Sequence, residues 1–79
     1  AGKVKTEQGR WFEGAPAGTA DIIGLHLHTG RMVAIEVKVG NNQPTELQMD
    51  FLEMVKQARG VAFPAWSVEQ VEQRLELEL

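Results

Sequence analysis

Cysteine is absent from the chain, so neither a disulfide framework nor a thiolate metal site can form. That absence suits a reducing compartment, and a cytoplasmic location is expected. No apolar run approaches membrane-spanning length and no secretory pattern opens the sequence, so no membrane partner is expected. Positive charge is in short supply. Eight Lys and Arg face eleven Asp and Glu, for a net charge of −3, which argues against a broad nucleic-acid-binding surface. The imbalance is uneven: residues 1–38 carry five basic and four acidic residues, and residues 39–79 carry three and seven. An anionic ligand should therefore approach the first half. There is no internal repeat and no low-complexity tract. At 79 residues the chain is one domain at most, near the small end for a self-supporting core, and its hydrophobic content of 43% is ordinary for a globular fold.

What is present is concentrated between Gly18 and Lys38. Ile22–Leu27 and Met32–Val39 read as two strands, joined by His28-Thr29-Gly30-Arg31. If Thr29-Gly30 is a two-residue loop, His28 faces Arg31, Leu27 faces Met32 and Asp21 faces Lys38. Directly opposed residues share a face, as do residues two apart on a strand. Asp21, Glu36 and Lys38 then project to one side at the open end of the hairpin, and a slip of one residue would separate them. Paired carboxylates repel, and a divalent cation that prefers oxygen relieves the repulsion. Such a cation polarises a phosphoryl oxygen, while a neighbouring lysine holds or activates water. A structural salt bridge to Lys38 would explain the same three residues, and spacing alone does not choose between the two.

The flanking stretches follow simpler rules. Residues 1–9 read as a loose lead-in, with Lys3, Lys5 and Arg10 solvated. Arg10–Glu13 reads as a short strand pairing with Ile22–Leu27, and Gly14–Gly18 as a loop whose small residues admit a substrate backbone near Asp21. His26 and His28 share a strand face, but with no third nitrogen or sulfur ligand they read as surface or packing histidines. A helix is expected from about Thr45 to Arg59, with Leu47, Phe51, Met54, Val55 and Ala58 as its apolar stripe. Thr45 and Gln48 have capping-box spacing, and Gly60 suits the stop. Val61–Trp66 reads as an edge strand, because Pro64 lacks a ladder donor, lying parallel to the Met32 strand. Ser67 and Gln70 begin a second helix with Val68, Val71 and Leu75 on one face and Glu69, Glu72 and Glu76 solvated. Apolar residues on both faces of the hairpin call for a sheet covered on both sides.

Gly-x-x-Asp-Ile-Ile, a glycine turn, Ala-Ile-Glu-Val-Lys and a helix opening Pro-Thr-Glu-Leu-Gln resemble the PD-(D/E)XK nuclease superfamily, and more narrowly its small stand-alone VRR-NUC domains. The resemblance spans about Gly9 to Trp66. It implies a single α/β domain over residues 1–79: a restriction-endonuclease-like mixed sheet, an antiparallel hairpin or meander plus a parallel crossover strand, flanked by helices in the order β-β-β-α-β-α. It implies Mg²⁺ or Mn²⁺ held by Asp21, Glu36 and the Val37 carbonyl. Lys38 would serve the attacking water and Gln48 would support the site, a role that competes with its place in a capping box. The implied activity is structure-specific DNA endonuclease action, as homodimers, on duplex or branched DNA such as four-way junctions. Two features depart from the family. Ala20 stands where proline is usual, and no helix precedes Trp11, leaving Glu7 or Glu13 to stand in for a further acid. A core short of one helix would expose a sheet face and favour dimerisation. The other class of reading is a nuclease-like module that binds DNA or protein without cleaving, its Asp, Glu and Lys kept as a structural cluster, or an interaction module of a larger protein.

Overall fold

A computed structural model describes residues 17–79 in full and, for residues 3–5 and 11–13, the backbone. Its main sheet has three strands: β3 (Ile22–Leu25), β4 (Met32–Val37) and β5 (Val61–Ala65), in that spatial order. β3 runs antiparallel to β4 and β5 runs parallel to it. The connection between the parallel strands is helix α1 (Glu46–Gln57), and helix α2 (Val68–Glu78) follows β5. This is a small mixed α/β fold with an open sheet, and Pro64 sits on an edge strand as its missing N–H requires. The expected third antiparallel strand is not part of it. β1 (Lys3–Lys5), read from sequence as lead-in, pairs instead with β2 (Trp11–Glu13) in a separate two-stranded ribbon. Glu7, Arg10, Gly14–Pro16 and the side chains of Lys3, Lys5, Trp11, Phe12 and Glu13 lie outside the described residues.

Period-two alternation along β4 divides the core into two layers. Ala34 and Ala62 face α1 and pack with Ala20, Phe51, Leu52 and Val55. Val33, Ile35, Val61, Phe63 and Ala65 face the other way, under Val71 and Leu75 of α2. One helix on each face thus suffices for β4 and β5. β3 is the exception, since Ile22, Ile23 and Leu25 remain largely exposed. α2 has no fully buried residue. Val68, expected on its apolar face, is exposed, and the guanidinium of Arg74 helps to cover the fully buried Phe63 ring, 4.7 Å from its centroid.

The caps follow the sequence in part. Thr45 and Gln48 form a complete capping box, so the helix begins one residue later than its cap, at Glu46, with Pro44 outside it. Ser67 accepts from the Gln70 N–H, but Gln70 Oε1 accepts from Trp66 N–H rather than from the cap residue, so the second box is half closed. At the end of α1, Arg59 rather than Gly60 takes the left-handed conformation, at φ 68°. Gly60 is required by contact: a Cβ there would stand 2.5 Å from Val55 Cγ1 and 2.8 Å from the Met32 carbonyl. Arg31 ties the far ends together, donating from Nε to the Arg59 carbonyl at 2.8 Å and from a terminal nitrogen to the Glu78 carbonyl at 3.1 Å. Its charge therefore sits where both helix dipoles are negative.

Gly18 fixes the approach to β3. Its φ is 79°, and a Cβ would lie 2.5 Å from the Leu47 carbonyl oxygen. The small residue therefore admits the backbone of α1, not of a substrate as the sequence suggested. Gly18→Ala should lower stability by at least about 1 kcal/mol in urea unfolding, because neither the left-handed φ nor the helix backbone can give way. An unchanged midpoint would show that this segment does not lean on α1.

Candidate active site

The hairpin register places the site. Ile22 pairs with Ile35 and Leu25 with Met32, so the strands are offset by two residues from the expected pairing, and Asp21 stands opposite Glu36 rather than Lys38. The cause is the loop. His26 N–H donates to the Arg31 carbonyl at 2.8 Å, which leaves four residues, Leu27–Gly30, in the turn instead of two. Gly30 closes it at φ 72° with its N–H on the His26 carbonyl. A shift of two preserves every side-chain face. Asp21, Glu36 and Lys38 thus remain on one side, the α1 side, at the end where the parallel strands finish.

Glu36 is the unusual member. It is only 3% exposed and is the one buried charged side chain among the described residues. Its Oε2 lies 3.7 Å from Lys38 Nζ, close enough for attraction and too long for a hydrogen bond. Its Oε1 is buried with no hydrogen-bond partner. Asp21 is exposed, and its Oδ2 accepts the Val37 N–H at 2.9 Å. In extended backbone the N–H and C=O of one residue leave toward the same edge, so the Val37 carbonyl also leaves on the Asp21 side.

Asp21 and Glu36 shift each other's ionisation in opposite directions. Burial first, then the hydrogen bond and negative charge of Asp21, push the Glu36 carboxyl above its ordinary value, against the pull of Lys38. The hydrogen bond with Glu36, then that from Val37 N–H, hold Asp21 below its own. Glu36 Oε1, buried without a hydrogen-bond partner, carries a cost that buried polar groups normally avoid. Two carboxylates, one of them with an unpartnered oxygen, and a nearby backbone carbonyl are donors that fit a hard divalent cation. The described residues hold no cluster of three or more His, Cys, Asp or Glu side chains, so carbonyl oxygen or water would have to complete such a shell.

Gln48 is committed at one end. Its Oε1 accepts the Thr45 N–H at 2.8 Å as part of the cap, leaving its amide NH₂ to face elsewhere. His26 and His28 lie in the turn at the far end of the hairpin. His26 Nδ1 is 2.8 Å from Thr29 Oγ1, and the two rings stand 5.7 Å apart. β3 ends at Leu25, so they do not share a strand face as the sequence suggested. The groove lined by Ala17, Leu47, Asp50, Phe51 and Glu53 lies along α1 and includes none of the three site residues.

Sequence reasoning overlooked Trp66 and Asn42 as neighbours of the site. Glu36 pairs with Pro64, and the parallel ladder continues with Lys38 N–H on the Ala65 carbonyl at 2.9 Å. Trp66 follows Ala65 directly, just past the end of β5. Its indole N–H donates to the Asn42 carbonyl at 2.9 Å. The signal was available in the predicted parallel crossover, which brings the carboxyl ends of both strands together.

Glu36→Gln separates a strained site from a structural ion pair. A folded-state pKa above the ordinary 4.5 means that the folded protein binds a proton that the unfolded chain releases. That contribution to stability is complete below 4.5 and is lost as pH rises through the raised value. Asp21 has the opposite sign, with its loss confined below its ordinary 3.8. Metal-free Glu36→Gln should therefore melt above the wild type at pH 7, with the gap closing below about pH 4.5. A variant less stable at pH 7 would establish the Glu36–Lys38 pair as structural. Compared with family models, curated proteins and solved structures, the chain has no significant match, so the chemistry of this site rests on its own atoms.

Proposed function

We propose that this chain is a metal-dependent DNA endonuclease of the PD-(D/E)XK kind, resembling VRR-NUC domains, which hydrolyses phosphodiester bonds. The observation that carries the reading is Glu36: a carboxylate 3% exposed, with one orphaned oxygen, directly across from Asp21 and next but one to Lys38. A structural ion pair would satisfy both oxygens of its buried carboxyl, whereas here Oε2 lies 3.7 Å from Lys38 Nζ and Oε1 has no hydrogen-bond partner. Asp21, Glu36 and the Val37 carbonyl would hold Mg²⁺ or Mn²⁺. Bound there, such an ion polarises a phosphoryl oxygen and lowers the pKa of water.

The chain's own residues supply the rest. Lys38 Nζ, largely buried beside Glu36, donates to the attacking water or to the phosphate oxygen that gains charge. Val37 N–H fixes one oxygen of Asp21 and leaves the other directed outward. Gln48 acts through position: it closes the first turn of α1, against which Gly18 seats the approach to Asp21. The working form in this reading is a homodimer in a reducing cytoplasm. Its support is the apolar edge strand β3, where Ile22 and Ile23 are each 48% exposed. No described helix is long and apolar enough to cross a membrane.

Cleavage of a labelled four-way junction and of a linear duplex of the same sequence, in Mg²⁺, Mn²⁺ and EDTA, tests the reading. Cuts are expected with either metal, none in EDTA, and a loss of at least about a hundredfold in Lys38→Ala, the scale of one removed charge-stabilising donor. Mn²⁺ should also raise the melting temperature of the wild type and leave Asp21→Ala and Glu36→Ala unmoved. A folded protein that neither cuts nor responds to Mn²⁺ would favour the non-catalytic module. Sedimentation should return a dimer, and Ile23→Lys a monomer.

A further inference from the structure

We infer that Trp66 is a stacking platform for an unpaired nucleobase beside the cleavage site, so that DNA with unpaired nucleotides is the substrate class this site prefers. The inference rests on the endonuclease reading and adds a residue and a substrate class to it. Three observations carry it.

The first is position. Trp66 directly follows Ala65, the last residue of β5, whose carbonyl accepts the Lys38 N–H at 2.9 Å, so Trp66 and Lys38 both stand at the carboxyl end of the parallel strands. Asp21 and Glu36 stand opposite one another at the same end.

The second is preorganisation. Trp66 is partly exposed, and both of its polar hydrogens are already used. The indole N–H donates to the Asn42 carbonyl at 2.9 Å and the backbone N–H to Gln70 Oε1 at 2.7 Å. Asn42 is held in turn by a hydrogen bond from its N–H to the Val39 carbonyl at 3.1 Å. The ring is thus locked between the loop after β4 and the first turn of α2, with its faces free of any polar duty. A fixed aromatic plane loses little entropy when a base stacks on it.

The third is charge. The chain carries −3, and Lys38 is the one cation among Asp21, Glu36, Lys38 and Trp66. Neutralising few phosphates releases few counterions, so electrostatics alone binds DNA weakly here. Stacking adds affinity base by base and needs no cation. It requires a base out of its duplex, because paired bases hide both faces.

The test uses the chain's own fluorescence. There are two tryptophans and no tyrosine. Trp11→Phe therefore leaves Trp66 as the reporter, and Lys38→Ala in the same protein silences cleavage in Mn²⁺. A short single-stranded oligonucleotide should quench Trp66 saturably, and the matched blunt duplex should not. In cleavage assays with otherwise wild-type protein, Trp66→Leu should raise KM for an unpaired substrate roughly tenfold with kcat unchanged, and Trp66→Phe should restore most of it, as stacking predicts. Equal defects in the Leu and Phe variants would mean that the tether to Asn42 matters rather than the ring, and would overturn the inference, as would an absence of quenching by the single strand. Quenching without any metal-dependent cleavage would uphold the platform and sink the nuclease reading; cleavage without quenching would do the reverse.

Discussion

Strand β4 pairs on both sides, and most of the fold depends on that double pairing. Its antiparallel ladder with β3 and its parallel ladder with β5 hold Val33, Ala34 and Ile35 between two helices. The same pairing carries Glu36 into a place with 3% exposure, one residue after the last apolar side chain of the core. A carboxylate there is tolerated because the strand around it is held at both edges. The apolar layers on either side provide the stabilising free energy against which its desolvation is set. Strain stored at one residue and offset by a well-packed neighbourhood is the usual arrangement at a functional site.

Around that point the molecule is asymmetric. The turn end is tied down by a single guanidinium, since Arg31 reaches the Arg59 carbonyl just past α1 and the last carbonyl of α2. The other end keeps its charged groups and backbone polar groups open: Asp21, Glu36, Lys38 and the strand termini, with Trp66 and the α1 cap as its margin. Open α/β sheets bind ligands at the carboxyl ends of their parallel strands, where side chains from different elements converge without helices in the way. Here Glu36 and Lys38 stand at that end of a sheet with a single parallel pair.

The shared face of Asp21, Glu36 and Lys38 was legible in the sequence because faces survive an error of register by two residues. An offset of two residues changed which residue opposes Asp21, from Lys38 to Glu36, and with it the electrostatics: an opposed ion pair became two opposed carboxyls whose ionisation is shifted in opposite directions. The face itself did not change, since strand side chains repeat every two residues. Capping at Thr45–Gln48 was legible for a similar reason, being made by residues three apart in one turn. The end of the same helix was not, because Gly60 is required by Val55 and Met32, residues that only packing brings to it.

By itself, then, the sequence determined the local and periodic features: the apolar alternation of β4, the shared face of Asp21, Glu36 and Lys38, the helix starts and the edge position of Pro64. Tertiary structure alone decided what depends on closure between distant segments. It set a four-residue turn where two residues were expected, directed Trp11–Glu13 to Lys3–Lys5 instead of β3, exposed Val68 and tied the Trp66 indole to the Asn42 carbonyl. The physical reason is common to all four. Periodicity is set residue by residue by backbone geometry, whereas register, partner choice and burial are set by which hydrogen bonds and apolar contacts can be satisfied together.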